Sequence, residues 1–407
     1  MDTITIERLG HLGDGVSTVD GAPVHAPGAL PGEVVAGEIV EGRMAAPRIV
    51  TPISDRVKAP CPHFGQCGGC VMQHASDTLV ADWRRQVVET ALAAQGLQAP
   101  ISQVATSPER SRRRATFAGK RTRKGVTVGF HARAAHQVVE VPECRVVHPD
   151  LLALRPLLDA LTRLGASRKG ILRLSVTLSE AGPDVAVDEA KPLEPAQLVE
   201  LAGLIHTHNI ARLSWNGEVI ATPAPPRQRM GRGHVIPPPG AFLQATPEGE
   251  AALVAEVRRI VGNAPRVVDL FAGCGTFALP LAETAEVHAV ESAADMLAAL
   301  DRAWRETPGL KRVTTKARDL FRRPLLPSEL KDYDAAVIDP PRAGAQAQVA
   351  EIAASGLACL AHVSCNPVTF ARDAKLLVEH GFRLGPVTIV DQFRWSSHVE
   401  LVAGFTR

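Results

Sequence analysis

Apolar segments of strand length alternate with amphipathic segments of helix length in the C-terminal part of this chain. The strand-like segments are 267–271, 287–290, 335–338 and 360–364. One helix-like segment is predicted to have Thr246 as its N-cap and Pro247 at its first position, and to end at Gly262. Other helix-like segments begin near 276 and near 345, and two span 293–305 and 367–380. Two further strands, roughly 386–391 and 399–405, are predicted to close the sheet as a hairpin. Because parallel strands need long crossover connections, this alternation predicts a mostly parallel, doubly wound α/β sheet.

Three of these strands run directly into polar loops. The loops are Ala272-Gly273-Cys274-Gly275-Thr276, Asp339-Pro340-Pro341-Arg342 and Cys365-Asn366-Pro367. Open α/β sheets bind ligands at the carboxyl ends of their strands, so the three loops are predicted to form one catalytic face. Taken alone, Cys365 is equally compatible with a buried cysteine that only fills space. Its place beside the Asp339 loop favours chemistry.

Two nucleotide cofactors are compatible with the first loop. Gly273, Gly275 and Ala278 match the dinucleotide fingerprint, and Glu291 follows at the distance expected for a ribose contact, which would suit an NAD oxidoreductase. Asp269 and Asp339 favour S-adenosylmethionine instead, because carboxylates suit a cationic sulfonium whereas a pyrophosphate is bound by backbone amides. A cysteine at 365 further suggests a pyrimidine C5 as the methyl acceptor, since C5 becomes nucleophilic only after a thiolate adds to C6.

A cysteine-rich loop precedes the middle of the chain. Cys61, Cys67 and Cys70 have C-x5-C-x2-C spacing, and Cys144 is the candidate for a fourth ligand. Seven cysteines in a chain without a signal peptide indicate a metal or catalysis rather than disulfides. The spacing predicts a metal site, and it leaves zinc and an iron–sulfur cluster both open.

Changes in composition and turn-forming residues divide the chain into four predicted units. Residues 1–55 are predicted to form a small OB-like β-barrel, with a β-module lacking any ligand as the alternative, and 56–95 hold the metal loop and a linking helix. Residues 96–235 are predicted to form a central α+β domain that supplies Cys144, and 236–407 the catalytic sheet. A basic run in the central part begins with Arg112, Arg113 and Arg114 and continues with Lys120, Arg121, Arg123 and Lys124. It is predicted to form a basic β-hairpin that contacts a phosphate backbone, with a merely solvated face as the alternative.

The chain has 407 residues, of which 45% are hydrophobic and 22% charged, as in globular proteins of several domains. It contains no apolar run of the ~18 residues that a membrane span needs and no signal-peptide pattern. The sequence therefore predicts a cytoplasmic protein that has no membrane contact, is monomeric and needs no obligate protein partner.

Several motifs together resemble a known family. They are GDGVSTVDG and PGALPGE for a TRAM domain, CPHFGQCGGCVMQH, RRRATF, FLQ, DLFAGCGTFALPLA, DPPRAG, VSCNPVTFARD and HVELV. Over nearly the whole chain these resemble the bacterial RNA uracil-C5 methyltransferases, specifically the iron–sulfur branch that modifies large-subunit ribosomal RNA. The resemblance implies a TRAM barrel that binds RNA, a class I methyltransferase sheet, and 5-methyluridine in 23S rRNA as the product, with transfer RNA as the alternative substrate.

The resemblance also implies roles for individual residues. It makes Cys365 the nucleophile and Glu400 the general base, although a lone acid in a strand could simply face solvent. Cys61, Cys67, Cys70 and Cys144 would hold a 4Fe–4S cluster. The implied S-adenosylmethionine contacts are Gln244, Phe271, Gly273, Gly275, Thr276, Glu291, Asp319 and Asp339.

Two features depart from the family pattern. Thr276 stands where the family often has asparagine, and 393–398 lacks the usual phenylalanine–proline form. Arg394 and Trp395 are therefore predicted to contact a different RNA surface. Rival functions of another class are an NAD(P)-dependent oxidoreductase and a catalytically silent RNA-binding protein.

Overall fold

The N-terminal segment forms two antiparallel sheets in this computed structural model, which describes residues 2–133 and 135–407. Its strands are β1 (Asp2–Thr5), β2 (Arg8–Leu9), β3 (Gly15–Val19), β4 (Ala22–Ala26), β5 (Val34–Gly37) and β6 (Arg48–Thr51). β5 lies between β1 and β6, and β3 lies between β2 and β4. Ile6, Val35 and Met44 are among the apolar residues of a small core there. The short predicted strands are present, while closure into an OB-like barrel stays a prediction.

Helix α1 (Asp77–Ala93) connects this segment to the C-terminal sheet rather than to the central part alone. Ser76 caps the helix, because its Oγ accepts a hydrogen bond from the Leu79 N–H. Near its start, Trp83 is buried among N-terminal apolar residues. Near its end, Val88 and Leu92 belong to the core of the C-terminal sheet. The sequence analysis had linked this helix to the central part.

The central part is a seven-stranded sheet covered by helices. The elements from residue 101 to residue 235 are β7 (Ile101–Thr106), β8 (Arg114–Thr122), β9 (Gly125–His131), β10 (Val138–Val139), α2 (Pro149–Ala153), α3 (Arg155–Gly165), β11 (Ile171–Ser179), β12 (Gly182–Asp188), α4 (Pro195–Thr207), β13 (Arg212–Trp215), β14 (Glu218–Ala221), β15 (Gln228–Met230) and β16 (Gly233–Val235). The strand order is β10-β9-β8-β11-β12-β13-β14, and β15 pairs with β16. The basic β8–β9 hairpin is present as predicted.

The C-terminal part begins with α5 (Pro247–Val261), whose ends were predicted from its capping residues. The Thr246 hydroxyl accepts from the Gly249 N–H, and Gly262 ends the helix at a φ of 60°. The remaining elements are β17 (Arg266–Leu270), α6 (Ala278–Leu281), β18 (Glu286–Glu291), α7 (Ala294–Arg305), β19 (Val313–Ala317), α8 (Pro327–Leu330), β20 (Ala335–Ile338), α9 (Gln346–Ala354), β21 (Cys359–Ser364), α10 (Pro367–Glu379), β22 (Arg383–Asp391) and β23 (Glu400–Thr406). No helix in the described part of the chain is long and apolar enough to cross a membrane.

The eight strands of the C-terminal sheet have the order β19-β18-β17-β20-β21-β23-β22-β7. β23 runs antiparallel to both of its neighbours, which makes the predicted hairpin with β22. Two strands differ from the sequence analysis. β19 was not predicted, and β7 pairs in parallel with β22 at the edge of this sheet although its residues were assigned to the central part.

The strand order explains how the predicted loops meet. β20 lies between β17 and β21, so the loops that follow these three strands are neighbours at one edge. In the β21–β23 pair, Ser364 is opposite Leu401. Cys365 and Glu400, one residue further on each strand, therefore lie next to each other at that edge.

Candidate active site

A cavity of about 830 Å³ opens at the carboxyl ends of β17, β18, β20 and β21. Among the residues that line it are most of those expected from the sequence: Gln244, Phe271, Gly273, Thr276, Glu291, Asp319, Asp339, Cys365 and Glu400. The structure thus brings the expected nucleophile, the expected base and seven of the eight expected cofactor contacts to one site.

Glu400 is buried and Cys365 is half-buried. Glu400 is only 4% exposed, which does not fit the alternative of a solvent-facing strand residue. Burial, with a contribution from Asp339, raises the pKa of Glu400 to about 8. Burial and the neighbouring Glu400 and Asp339 raise the pKa of the Cys365 thiol to about 11. Both groups are therefore held in their neutral forms by an environment that is apolar and rich in carboxylates.

Two more carboxylates lie close to this pair. Asp339 follows β20, and burial raises its pKa to about 7. Asp269 is fully buried in β17, where burial and Asp339 raise its pKa well above the usual range. Among the residues that the structure describes, no basic side chain pairs with Asp269, and a backbone hydrogen bond from Ala278 offsets its raised pKa only in part. Such a cluster is stabilised by a cation, so the site favours a positively charged ligand.

The wall beside β17 and β18 is shaped by backbone conformation. Phe271 has a φ of 61° and Gly273 one of 56°, which turns the chain sharply after β17. Glu291 accepts hydrogen bonds from the backbone N–H groups of Gly273, Ser292 and Ala293. These bonds fix the carboxylate of Glu291 at the end of β18, facing the cavity.

Gly275 is the one expected contact that does not line the cavity. Its φ is 101°, and a Cβ at this position would lie 2.5 Å from Cδ1 of Leu300. The glycine is required by the close approach of the turn to α7, and its contact with a cofactor stays a prediction.

Sequence reasoning missed two residues at or behind the cavity wall. Phe321 lines the cavity and lies near Phe271, with ring centroids 5.3 Å apart. It follows β19, and a prediction of that strand would have marked Asp319 and Phe321 as residues that follow a strand end. Gln392 lies behind the wall and is hydrogen-bonded to Gln244 and Glu400. No local sequence pattern marks Gln392. Arg112, which was predicted to contact phosphate, also lines the cavity.

The loop 393–398 is held from inside the protein. Arg84 of α1 donates to the backbone carbonyls of Phe393 and His398 and pairs with Asp391 at 2.7 Å, and both charged side chains are essentially fully buried. The prediction that Arg394 and Trp395 contact RNA is not supported. Trp395 is 3% exposed, and Arg394 pairs with Asp77 at 2.8 Å and stacks on the Trp395 ring.

A second cavity of about 520 Å³ is lined by all four predicted metal-binding cysteines, Cys61, Cys67, Cys70 and Cys144. Burial, with smaller contributions from the other thiols, raises the pKa of Cys70 to about 12. In the described residues no group of three or more His, Cys, Asp or Glu side chains is arranged to hold a metal ion. The two cavities share wall residues: Gly68, Gly69, Arg112, Phe242 and Phe393.

Two arginines of the run beside these cavities are engaged within the protein. Arg113 pairs with Glu250 at 2.5 Å and donates to the Gln244 carbonyl oxygen. Arg114 lies over the Phe242 ring, 5.2 Å from its centroid. These contacts fix the Phe242-Leu243-Gln244 segment and the helix that follows it, and contact of the run with a phosphate backbone stays a prediction.

Comparison with solved structures defines the class of the fold. The whole chain superimposes on the tRNA (uracil-54, C5)-methyltransferase of Pyrococcus abyssi in complex with S-adenosyl-L-homocysteine, with a TM-score of 0.77 and coverage of 100% of both chains. The sequences are 20% identical, so this likeness concerns the fold alone. The C-terminal sheet is accordingly a Rossmann-like methyltransferase sheet within a multidomain protein.

Sequence comparison identifies the family. Residues 240–405 match the family model described as tRNA (Uracil-5-)-methyltransferase. The chain is 42% identical to an uncharacterized RNA methyltransferase of Brucella suis over 99% of this chain and 97% of that one. It is 33% identical to the 23S rRNA (uracil(1939)-C(5))-methyltransferase RlmD of an Azoarcus species over the full length of both. The chain belongs to the RNA uracil-5-methyltransferase family.

Proposed function

We propose that this protein transfers a methyl group from S-adenosylmethionine to C5 of a uridine in RNA, through a covalent bond between Cys365 and C6. The observation that carries the proposal is the shared cavity of Cys365 and Glu400, a thiol and a buried carboxyl on adjacent strands of one sheet. This chemistry needs a nucleophile and a base on the same pyrimidine ring.

The cavity suits S-adenosylmethionine because Asp269 and Asp339 form no salt bridge with a basic residue in the part of the chain that the structure describes. Asp269 is buried behind the wall, Asp339 lines the cavity, and the pKa values of both are raised, so a sulfonium ion nearby would stabilise their charged forms. Glu291, at the end of β18, is positioned to accept hydrogen bonds from ribose hydroxyls. When bound, S-adenosylmethionine supplies an electrophilic methyl group. A dinucleotide pyrophosphate would face these carboxylates instead, which disfavours the oxidoreductase alternative.

In the proposed reaction, the Cys365 thiolate forms a bond to C6 of the uracil ring, and the electron pair of the C5–C6 double bond moves to C5 and the C4 carbonyl. C5 then forms the new bond to the methyl group while the bond between that methyl group and the sulfur breaks; the electron pair of the broken bond would stay on the sulfur, leaving S-adenosylhomocysteine. Glu400 accepts the proton that C5 still carries, and the electrons of that C–H bond re-form the C5–C6 double bond while the bond to Cys365 breaks. The thiolate is regenerated, and the product is 5-methyluridine.

This order of reaction steps requires a particular charge state of Cys365 and of Glu400. Cys365 must lose its proton before it attacks, and the raised pKa shows that the protein without ligand does not favour this loss. A cationic ligand beside Asp339 would offset the negative charges that disfavour the thiolate. Glu400 must be ionised to accept a proton, and the same ligand would lower its pKa. The proposal therefore makes the nucleophile and the base dependent on cofactor binding.

We also propose that the four cysteines hold a 4Fe–4S cluster. The donor set suits either metal centre, since four thiols line one cavity and backbone N–H groups of Gly69 and Val146 point at the sulfurs of Cys67 and Cys144. A zinc ion stays the alternative, because four cysteine thiols are also a usual ligand set for zinc. No step of the methyl transfer uses the metal centre.

We propose that the RNA substrate is large-subunit ribosomal RNA. Residues 1–55 are proposed to form an OB-like barrel that also binds this RNA. Full-length similarity to a 23S rRNA methyltransferase supports this substrate. The test is to map 5-methyluridine across total RNA from a deletion strain complemented with wild-type or Cys365→Ala protein. We expect one uridine of 23S rRNA to lose its methyl group unless the wild type is restored. Loss of a site in transfer RNA instead would reassign the substrate, and an unchanged map would reject the function.

A further inference from the structure

Gln392 is a fully buried amide directly behind the catalytic wall. It follows β22 and is 1% exposed, and it does not itself line the cavity. Its Oε1 accepts from the Ala245 backbone N–H at 2.8 Å. Its Nε2 donates to Oε1 of Gln244 at 2.6 Å and to Oε2 of Glu400 at 3.2 Å. The side chain of Gln392 thus contacts two residues that line the cavity. Gln392 is in none of the motifs that resemble the family and was not among the predicted site residues.

These hydrogen bonds determine the orientation of two amides. The Ala245 N–H can only donate, so the atom of Gln392 that faces it must be the oxygen, and the nitrogen must face Gln244 and Glu400. The atom of Gln244 that faces this nitrogen must then be its own oxygen. The amide nitrogen of Gln244 is consequently turned to the other side, where it lies 3.5 Å from Oδ2 of Asp339 at the cavity.

We propose that Gln392 is a positioning residue that makes Gln244 present only N–H donors to the cavity, and so selects a pyrimidine with a carbonyl at C4 over one with an amino group. This inference rests on the proposed function. Uracil carries an acceptor at C4 and cytosine a donor, so a fixed donor in the wall would pair with uracil and oppose cytosine. Sites built around one hydrogen bond discriminate strongly, because the wrong partner leaves a buried polar group unpaired.

The second contact of Gln392 acts on the base. Burial and Asp339 raise the pKa of Glu400, and the hydrogen bond from Gln392 lowers it, because an N–H donor stabilises the carboxylate. Asp339 after β20 and Cys365 after β21 are the other titratable groups that face Glu400. Without Gln392 the pKa of Glu400 should rise, so a smaller fraction would be ionised at neutral pH. The rate should then recover as the pH increases.

The test uses Gln392→Met, which removes all three hydrogen bonds at similar volume, and Gln392→Glu, which keeps the shape and an acceptor for Ala245 but loses the donor. Gln348→Met is the matched control, because Gln348 is equally buried and bonds only to the backbone of Leu325. The probes are transcripts with 5-fluorouridine or 5-fluorocytidine at the methylated position. Fluorine cannot leave as a cation, so the covalent adduct accumulates and its rate of formation can be measured for either base.

For wild type and Gln348→Met we expect adduct formation to be at least about 10³-fold faster with 5-fluorouridine. Both Gln392 variants should reduce this ratio at least about tenfold and shift the pH profile of uridine methylation to higher pH. If Gln392→Met does not fold, Gln392→Glu alone tests the proposal. If the folded variants keep the wild-type ratio and profile, the inference is wrong. If wild type forms no adduct with 5-fluorouridine, the proposed function itself fails, and the inference with it.

Discussion

The two adjoining cavities are built in different ways. The catalytic cavity collects residues that follow neighbouring strands of one sheet, and the register of β21 and β23 places Cys365 beside Glu400. The cysteine cavity collects loops about 75 residues apart in sequence, 61–70 and 144. The hydrogen bond from the Glu143 N–H to Nε2 of His63 connects them, and the Gly68 N–H donates to the His131 carbonyl oxygen of β9.

This difference bears on what each cavity needs in order to form. A sheet register is maintained by many hydrogen bonds, so the catalytic residues are preorganised without a ligand. Loops open more easily, and a bound centre that crosslinks four cysteines would close them. We therefore expect substitutions in the first cavity to stop chemistry in a folded protein, and substitutions in the second to change structure first.

The largest effect should come from the catalytic pair. Cys365→Ala removes the attacking thiol and should reduce methylation by at least about 10⁴-fold. Glu400→Gln leaves the C5 proton in place, so protein joined covalently to RNA should accumulate on denaturing gels when S-adenosylmethionine is present. The double variant should show no adduct. Cys359→Ala, a half-buried cysteine at the start of the same strand, is the control and should retain activity. A Glu400→Gln enzyme that turns over normally would place the base elsewhere.

An intermediate effect is expected in the cysteine cavity. Anaerobically purified protein should contain about four irons and four sulfides, and Cys67→Ser should remove most of the colour and lower the melting temperature. Methylation should fall about 10- to 100-fold, because Gly68 and Gly69 belong to both cavities. Cys359→Ser should keep its iron. Stoichiometric zinc in a colourless and fully active protein would contradict the cluster.

The smallest effect should lie outside both cavities. Arg121 and Arg123 are exposed at the tip of the β8–β9 hairpin, unlike the paired Arg113. Replacing both with Gln should weaken RNA binding by about tenfold at low salt and reduce the salt slope by about 1 to 2. The single-turnover rate at saturating RNA should not change. Lys311→Gln/Arg312→Gln removes equal charge beside the amino end of β19, opposite the catalytic edge, and should leave the slope unaltered.

The sequence by itself determined the features that depend on residues close together along the chain. The 2- and 3.6-residue periods and the caps Thr246 and Gly262 define the elements of the C-terminal sheet, and strands that end in Asp339 and Cys365 mark its catalytic edge. These signals involve residues close together along the chain. The assignment of Glu400 came from resemblance, and the structure then showed it to be buried beside Cys365.

Only the tertiary structure decided which distant segments meet. It placed β7 at the edge of a sheet some 280 residues away, paired Arg113 with Glu250, and put Gln392 between Gln244 and Glu400. An arginine that is paired and an arginine that is free look alike in sequence, and so do a buried glutamine and an exposed one. Their roles depend on partners brought together by folding, because the free energy of a polar group is set by burial and by the hydrogen bonds available to it.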